Sequence, residues 1–190
     1  ELDDFLKKRN ELFFEGERDK VPNFGINPST FWVELKLKNK SKINDWFLSL
    51  DYHYLDDVSF YKKIDGKWKG YFTGDRKLFK EREIEHRGFV FKIKPGFDST
   101  YILKLKSKGS IQIPLRVYSP TEFYKSEVST NYGFGIFSGF FIVMIFYNLF
   151  VYFSTKNISF IHYVFFLTSI LLLLMGMNGF GFQYLYLFCN

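Results

Sequence analysis

The sequence has a single cysteine, Cys189, and no alanine. One thiol closes no internal disulfide, so the chain falls outside the small, disulfide-stapled secreted class. It contains only 5 prolines in 190 residues and no proline-rich linker. The most informative scarcity is of charge. All 20 Asp and Glu lie before residue 132, as do 25 of the 26 Lys and Arg, so Lys156 is the one formal charge in the last 59 residues. A segment this apolar has no face to present to water. That excludes a free-standing soluble enzyme and an acidic or disordered tail, and it leaves the bilayer as the environment of the C-terminal third.

Residues 132 to 153 read YGFGIFSGFFIVMIFYNLFVYF, 22 residues without a charge. At 1.5 Å per residue a helix of that length reaches about 33 Å, enough to span the hydrocarbon core. A polar link, Ser154 to Asn157, separates it from a second apolar run, 158 to 177, which contains His162 as its readily ionisable group. Two spans so joined predict a membrane hairpin. Three glycines in residues 176 to 182 break the run, and YLYLF follows, so the chain reads as a fragment of a longer multi-pass protein. Lys156 in the short link points that loop to the cytoplasm and residues 1 to 131 to the outside. Gly135 and Gly139 share one helix face and predict close approach of another helix, either within the bundle or from a second copy in a homodimer. Asn148 is a polar group within a span that needs a partner, and helix packing supplies it.

Upstream, the dominant period is two. In residues 31 to 38 (FWVELKLK), Phe31, Val33, Leu35 and Leu37 share one face, while Trp32, Glu34, Lys36 and Lys38 share the other. The alternation returns at Trp46-Leu48-Leu50-Tyr52, Phe89-Phe91-Ile93, Tyr101-Leu103-Leu105 and Ile111-Ile113-Leu115-Val117, with weaker strands near 58–63 and 67–72. Asp65-Gly66 suits a two-residue hairpin, because both central positions take positive φ. Lys108-Gly109 is read as a second hairpin and Pro95-Gly96 as a turn. Pro114 cannot donate to a ladder, which predicts an edge strand or a bulge. Seven or eight antiparallel strands, with no helix long enough to cover a sheet, predict a β-sandwich over 21–118, followed by a linker at 119–131 and membrane helices from 132. Residues 1–20 form a separate, highly charged segment with the pattern of a short amphipathic helix.

The formal charge of the first 131 residues, 25 positive against 20 negative, reads as a solvated surface; no nucleic-acid site is expected. His53 and His86 carry no metal-ligand spacing. Asp51, Asp56, Asp57 and Asp75 could offer oxygens to a calcium ion, but read better as turn and strand-end carboxylates in water, so no metal, cofactor or catalytic residue is assigned. The aromatics offer a binding chemistry. Trp32 falls on the polar face of its strand, and Trp68, Tyr71 and Phe72 follow the Asp-Gly turn. Flat rings pack on the apolar face of a pyranose while polar groups such as Asp75 and Arg76 take the hydroxyls. Trp32, Trp68, Tyr71, Asp75 and Arg76 are therefore the candidate residues for a small-molecule ligand, carbohydrate foremost. The alternative is that the N-terminal segment covers Trp32 and that Trp68 closes one end of the core.

Taken in order, these features resemble a family. The run comprises Asn23-Phe24-Gly25, Trp32 to Leu37 with Asn39, Trp46, Asp57-Val58 with Tyr61, Asp65-Gly66, Gly74-Asp75, Arg82, Pro95-Gly96, Tyr101 with Leu103, Ser107 with Gly109-Ser110, and Pro114-Leu115. In the apolar part it continues through Gly135, Gly139, Tyr147-Asn148-Leu149-Phe150, Lys156-Asn157, Phe160 with Tyr163, and Gly179 with Tyr184-Leu185. The sequence is similar to bacterial seven-transmembrane receptors with diverse intracellular signalling modules, namely their second type of extracellular domain and the start of the seven-helix region. Lys104 stands where arginine is common, Asn157 where an acidic residue is, and His162 where an aliphatic one is. The resemblance implies a jelly-roll-like, mainly β sensor related to carbohydrate-binding modules, a location in the bacterial inner membrane and an output domain beyond this sequence. Two other functions remain open: a module that assembles with another protein, and a membrane-bound enzyme acting on envelope glycans.

Overall fold

The computed structural model describes residues 2–8, 20–75, 77, 79, 82–96 and 98–181. The chain divides into two compact units, 1–119 and 120–190.

Among the described residues the first unit has one short helix, α1 (Leu2–Lys8), and nine strands: β1 (Asn23–Ile26), β2 (Phe31–Leu37), β3 (Trp46–Leu50), β4 (Asp57–Ile64), β5 (Lys67–Thr73), β6 (Phe89–Ile93), β7 (Ser99–Lys106), β8 (Ser110–Gln112) and β9 (Leu115–Tyr118). They form a four-stranded sheet, β2-β7-β4-β5, a three-stranded sheet, β6-β3-β9, and a small β1-β8 pair. Every pairing is antiparallel. One apolar core serves both larger sheets: Val58, Phe60, Leu103 and Leu105 from the first meet Leu48, Leu50, Phe89, Phe91 and Ile93 from the second. The stacked Phe60–Phe91 pair, at 4.4 Å between centroids, bridges β4 and β6. Period-two alternation thus becomes two sheets face to face, because each has one apolar surface to remove from water.

Asp65 and Gly66 both take positive φ, 50° and 78°, and turn β4 into β5 as a two-residue hairpin. Lys108-Gly109 does turn the chain, but the strands on either side lie in different sheets, so no hairpin forms there. The run 111–117, read as one strand, is two. It breaks at Ile113-Pro114, where the ladder lacks a donor, and β9 then joins the edge of the three-stranded sheet. β3 differs from a half-buried strand as well, since Phe47, Leu48, Ser49 and Leu50 are all buried.

The second unit is a helical hairpin of α2 (Pro120–Thr155) and α3 (Ile158–Met177). α3 has the bounds expected from its apolar run. α2 starts at Pro120, not at Tyr132, and residues 120–131 are helix instead of an irregular linker. The signal was present: Ser119-Pro120-Thr121-Glu122 has capping-box spacing with proline in the first helical position. Lys156, at φ 55°, takes the left-handed conformation that ends α2, and the Asn157 side chain accepts from the Ser159 N–H at 3.0 Å to cap α3. Asparagine thus fills a capping role that an acidic side chain also performs. Both helices are long and apolar enough to cross a membrane.

Partial or full burial on α2 follows Phe134, Ser138, Phe141, Ile145 and Asn148, alternating spacings of four and three that form a seam facing α3. Asn148 is buried on that seam, and its side-chain amide donates to the Met144 carbonyl of its own helix at 2.8 Å. Gly135 is exposed and lies off it, while Gly139 is half-buried next to Ser138. A Cβ built at either meets nothing within 4 Å among the described residues, so α3 is not the close neighbour their spacing predicts.

Candidate ligand face of the β unit

Strand register decides which side chains share a surface. On the four-stranded sheet Phe60 pairs with Leu103 on one side and Tyr71 on the other, and all three pack with the core. The alternate positions point outward: Trp32, Glu34 and Lys36 on β2; Ile102, Lys104 and Lys106 on β7; Asp57, Tyr61 and Lys63 on β4; and Trp68, Gly70 and Phe72 on β5.

This places the candidates unequally. Trp32 is on the outer face but is covered by α1, whose Phe5 ring stacks on it at 4.6 Å and 7°. Tyr61 stands beside it at 6.2 Å, and the Lys104 ammonium lies 5.7 Å from its centroid. Beneath these rings Ile102 is completely buried although it faces away from the core. Trp68 shares the outer face at the turn end of the β4–β5 hairpin, paired with Lys63. Tyr71 does not accompany it: an odd position in a strand whose outward residues are even, it lies on the inner side, with the Lys62 ammonium 4.4 Å from its ring. Lys62 is held there by Glu83, 2.9 Å away, and by the Lys92 carbonyl. The ring that joins Trp68 outside is Phe72, which is 54% exposed and set edge-on to Tyr61 at 6.0 Å.

Gly70 makes this arrangement fit. A Cβ there would meet the Phe72 ring at 2.9 Å and the Tyr61 ring at 3.0 Å, so the two rings lie across bare backbone. Trp68 and Phe72 are four residues apart on one strand, about 13 Å. Each is attended by a lysine: the Lys63 ammonium lies 5.2 Å from the Trp68 centroid and that of Lys77 5.4 Å from Phe72. Exposed cation–π contacts contribute only about 0.5–1 kcal/mol each, so both ammonium groups are available to a better partner. The strands present four outward lysines, Lys36, Lys63, Lys104 and Lys106, against two carboxylates, Glu34 and Asp57. Lysines and rings scattered through four strands become one aromatic, cationic surface on pairing. Phe72 in place of Tyr71 was legible from parity in β5; the ring–lysine pairs were not, because they depend on register between strands.

Asp75 lies at a structural junction. Its backbone N–H donates to the Leu55 carbonyl at 2.9 Å. Nearby, Ser107 Oγ donates to the Tyr54 carbonyl at 3.1 Å and the Lys108 N–H to Asp56 Oδ2 at 2.7 Å, so three loops are tied at one end of the sandwich. Arg76 lies outside the described residues. Arg82 is buried between Phe79 and Phe89 and donates to the carbonyls of His86, Arg87 and Gly88. Burial lowers its pKa to about 10, with the Asp75 charge acting in the opposite direction. Among the described residues no three His, Cys, Asp or Glu side chains gather to hold a metal ion.

Two family matches account for both units. Residues 1–119 match the extracellular domain described as 7TMR-DISM extracellular 2. The chain belongs to the 7TMR-DISM family. Residues 130–188 match the region described as 7TM diverse intracellular signalling, which agrees with the two membrane-length helices found there. Comparison with curated proteins finds no match. An extracellular domain joined to part of a seven-helix region makes this 7TMR-DISM chain an integral membrane protein of sensory-receptor type.

Proposed function

We propose that residues 1–119 are the extracytoplasmic sensor of a multi-pass receptor in the bacterial inner membrane, and that the outer face of the β2-β7-β4-β5 sheet binds a carbohydrate. The observation that carries this reading is the pairing on that face of two outward rings, Trp68 and Phe72, with movable lysines beside each. Rings take the apolar side of a pyranose, and flexible donors take its oxygens. Trp32 contributes under its Phe5 cover, Tyr71 faces the inner side of the sheet, and Asp75 belongs to the loop junction at one end of the sandwich. Signalling requires that ligand favour one of two arrangements of the receptor, since equal affinity for both shifts nothing. A single residue, Ser119, separates β9 from α2, so a change in β9 has little slack before it reaches the helix. The open faces at Gly135 and Gly139 receive further helices, from the same bundle or from a second copy.

The test is a thermal-shift screen of the full chain in nanodiscs against saccharides, amino acids and divalent cations, read by tryptophan emission. A ligand that binds only the folded state raises the melting temperature in proportion to the logarithm of its concentration. One saccharide class should do so, with the effect lost in Trp68→Ala and Phe72→Ala. A folded protein indifferent to every saccharide would overturn the reading and favour an assembly module.

A further inference from the structure

The charge on the outer face narrows the ligand class. We infer that the saccharide carries negative charge, as a uronate or comparable acidic sugar does; this rests on the carbohydrate reading above. Neutral sugars meet an obstacle here. The Lys63 and Lys77 ammonium groups occupy the neighbourhoods of the two open rings, at 5.2 Å from Trp68 and 5.4 Å from Phe72. A neutral pyranose that stacks on either ring displaces a cation and offers it only hydroxyl oxygens. A carboxylate on the sugar offers an opposite charge, so each lysine exchanges a ring for an ion pair as the ring is taken up by the pyranose. Lys36, Lys104 and Lys106 extend the positive field across the same sheet, with Glu34 and Asp57 as its outward acids. The Phe72 ring lies back over Gly70, on the Trp68 side of its own Cα, so the two ring–lysine pairs lie on one short stretch of β5.

The experiment uses the full chain in nanodiscs of neutral lipid, with oligogalacturonate and its methyl ester as probes. The two share rings and linkages and differ in charge. Binding is measured by calorimetry at low and high salt. The acid should bind about tenfold more tightly than the ester at low salt, the yield of two exposed ion pairs. The difference should shrink at high salt and vanish in the Lys63→Gln/Lys77→Gln variant. Lys69→Gln, on the opposite face of β5, should leave it intact. Equal binding of acid and ester overturns this inference while the carbohydrate reading stands. An acid preference that survives in the double variant overturns the placement on Lys63 and Lys77. Binding of neither probe, by a protein shown to be folded, overturns this inference, and the carbohydrate reading falls with it only if the saccharide screen above is silent as well.

Discussion

Replacing Gly74 with alanine should cost the β unit more stability than any other glycine-to-alanine change in it. A Cβ at Gly74 falls on the Asp56 carbonyl oxygen, with the carbonyl carbon 2.8 Å and Asp57 Cα 3.2 Å away. Carbon–carbon contacts settle at about 3.5–4.0 Å, so two backbones must separate by about 1 Å. The 54–56 segment cannot retreat freely. Leu55 is completely buried in the core, the Tyr54 carbonyl holds Ser107 Oγ, and Asp56 holds the Lys108 N–H. Overpacking of this kind costs about 1–3 kcal/mol, and loss of the Asp75–Leu55 backbone hydrogen bond adds about 1 kcal/mol, giving about 2–4 kcal/mol. With a urea dependence near 2 kcal/mol/M for a domain of this size, the midpoint should fall by about 1–2 M. The assay is urea unfolding of the full chain in detergent micelles followed by tryptophan emission. Trp32, Trp46 and Trp68 all precede residue 119, so emission reports the β unit alone. Gly109→Ala is the control, because its Cβ would meet Ser107 Oγ at an ordinary 3.6 Å. Equal midpoints for Gly74→Ala and the native chain would refute the close approach.

Three further outcomes follow from the same geometry. Phe5→Ala should uncover Trp32, shift part of the tryptophan emission to longer wavelength and lower stability by about 1 kcal/mol, the worth of an aromatic stack; unchanged emission would mean that α1 does not rest on Trp32 in solution. Burial, then the Arg87 and His86 charges, hold the His53 imidazole below its ordinary 6.5, while Asp51 acts weakly in the other direction. The unfolded chain therefore takes up a proton that the folded one resists, so stability is full above pH 6.5, falls as pH drops below it, and levels off below the folded-state value. Melting temperatures of the native chain and His53→Asn should diverge across that window and run parallel above it. Arg82→Ala withdraws one charged donor from three carbonyls and should cost about 3 kcal/mol in the same urea assay, with Arg82→Lys recovering only part because an ammonium loses the planar stacking between Phe79 and Phe89.

Much of the β architecture was readable where local chemistry leaves little choice. Alternation in FWVELKLK fixes which residues of β2 face the core, and Asp65-Gly66 admits the positive φ that a tight hairpin needs. Sheet membership was harder to read. Lys108-Gly109 has the composition of a hairpin turn, yet β7 and β8 part to different sheets, since pairing is decided by partners distant in sequence. The candidate site shows the same division. Trp68 and Phe72 were placed by parity, whereas Trp32, equally outward by parity, is covered by a ring from residue 5. Lys63, Lys77 and Lys104 gave no local signal, because lysine is frequent throughout the chain and only register and loop geometry bring these three against rings. In the helices, hydropathy located the apolar spans but missed the polar first turns of α2, whose capping signal lies at Ser119 and Glu122.

Ligand on the outer sheet face should be felt by the membrane helices. Hydrogen exchange of the full chain in nanodiscs, without and with saturating oligogalacturonate, is the decisive measurement. Exchange should slow in β4 and β5 around Tyr61 and Phe72 and change within residues 120–177. Protection confined to the strands, with α2 and α3 exchanging identically in both states, would contradict this coupling.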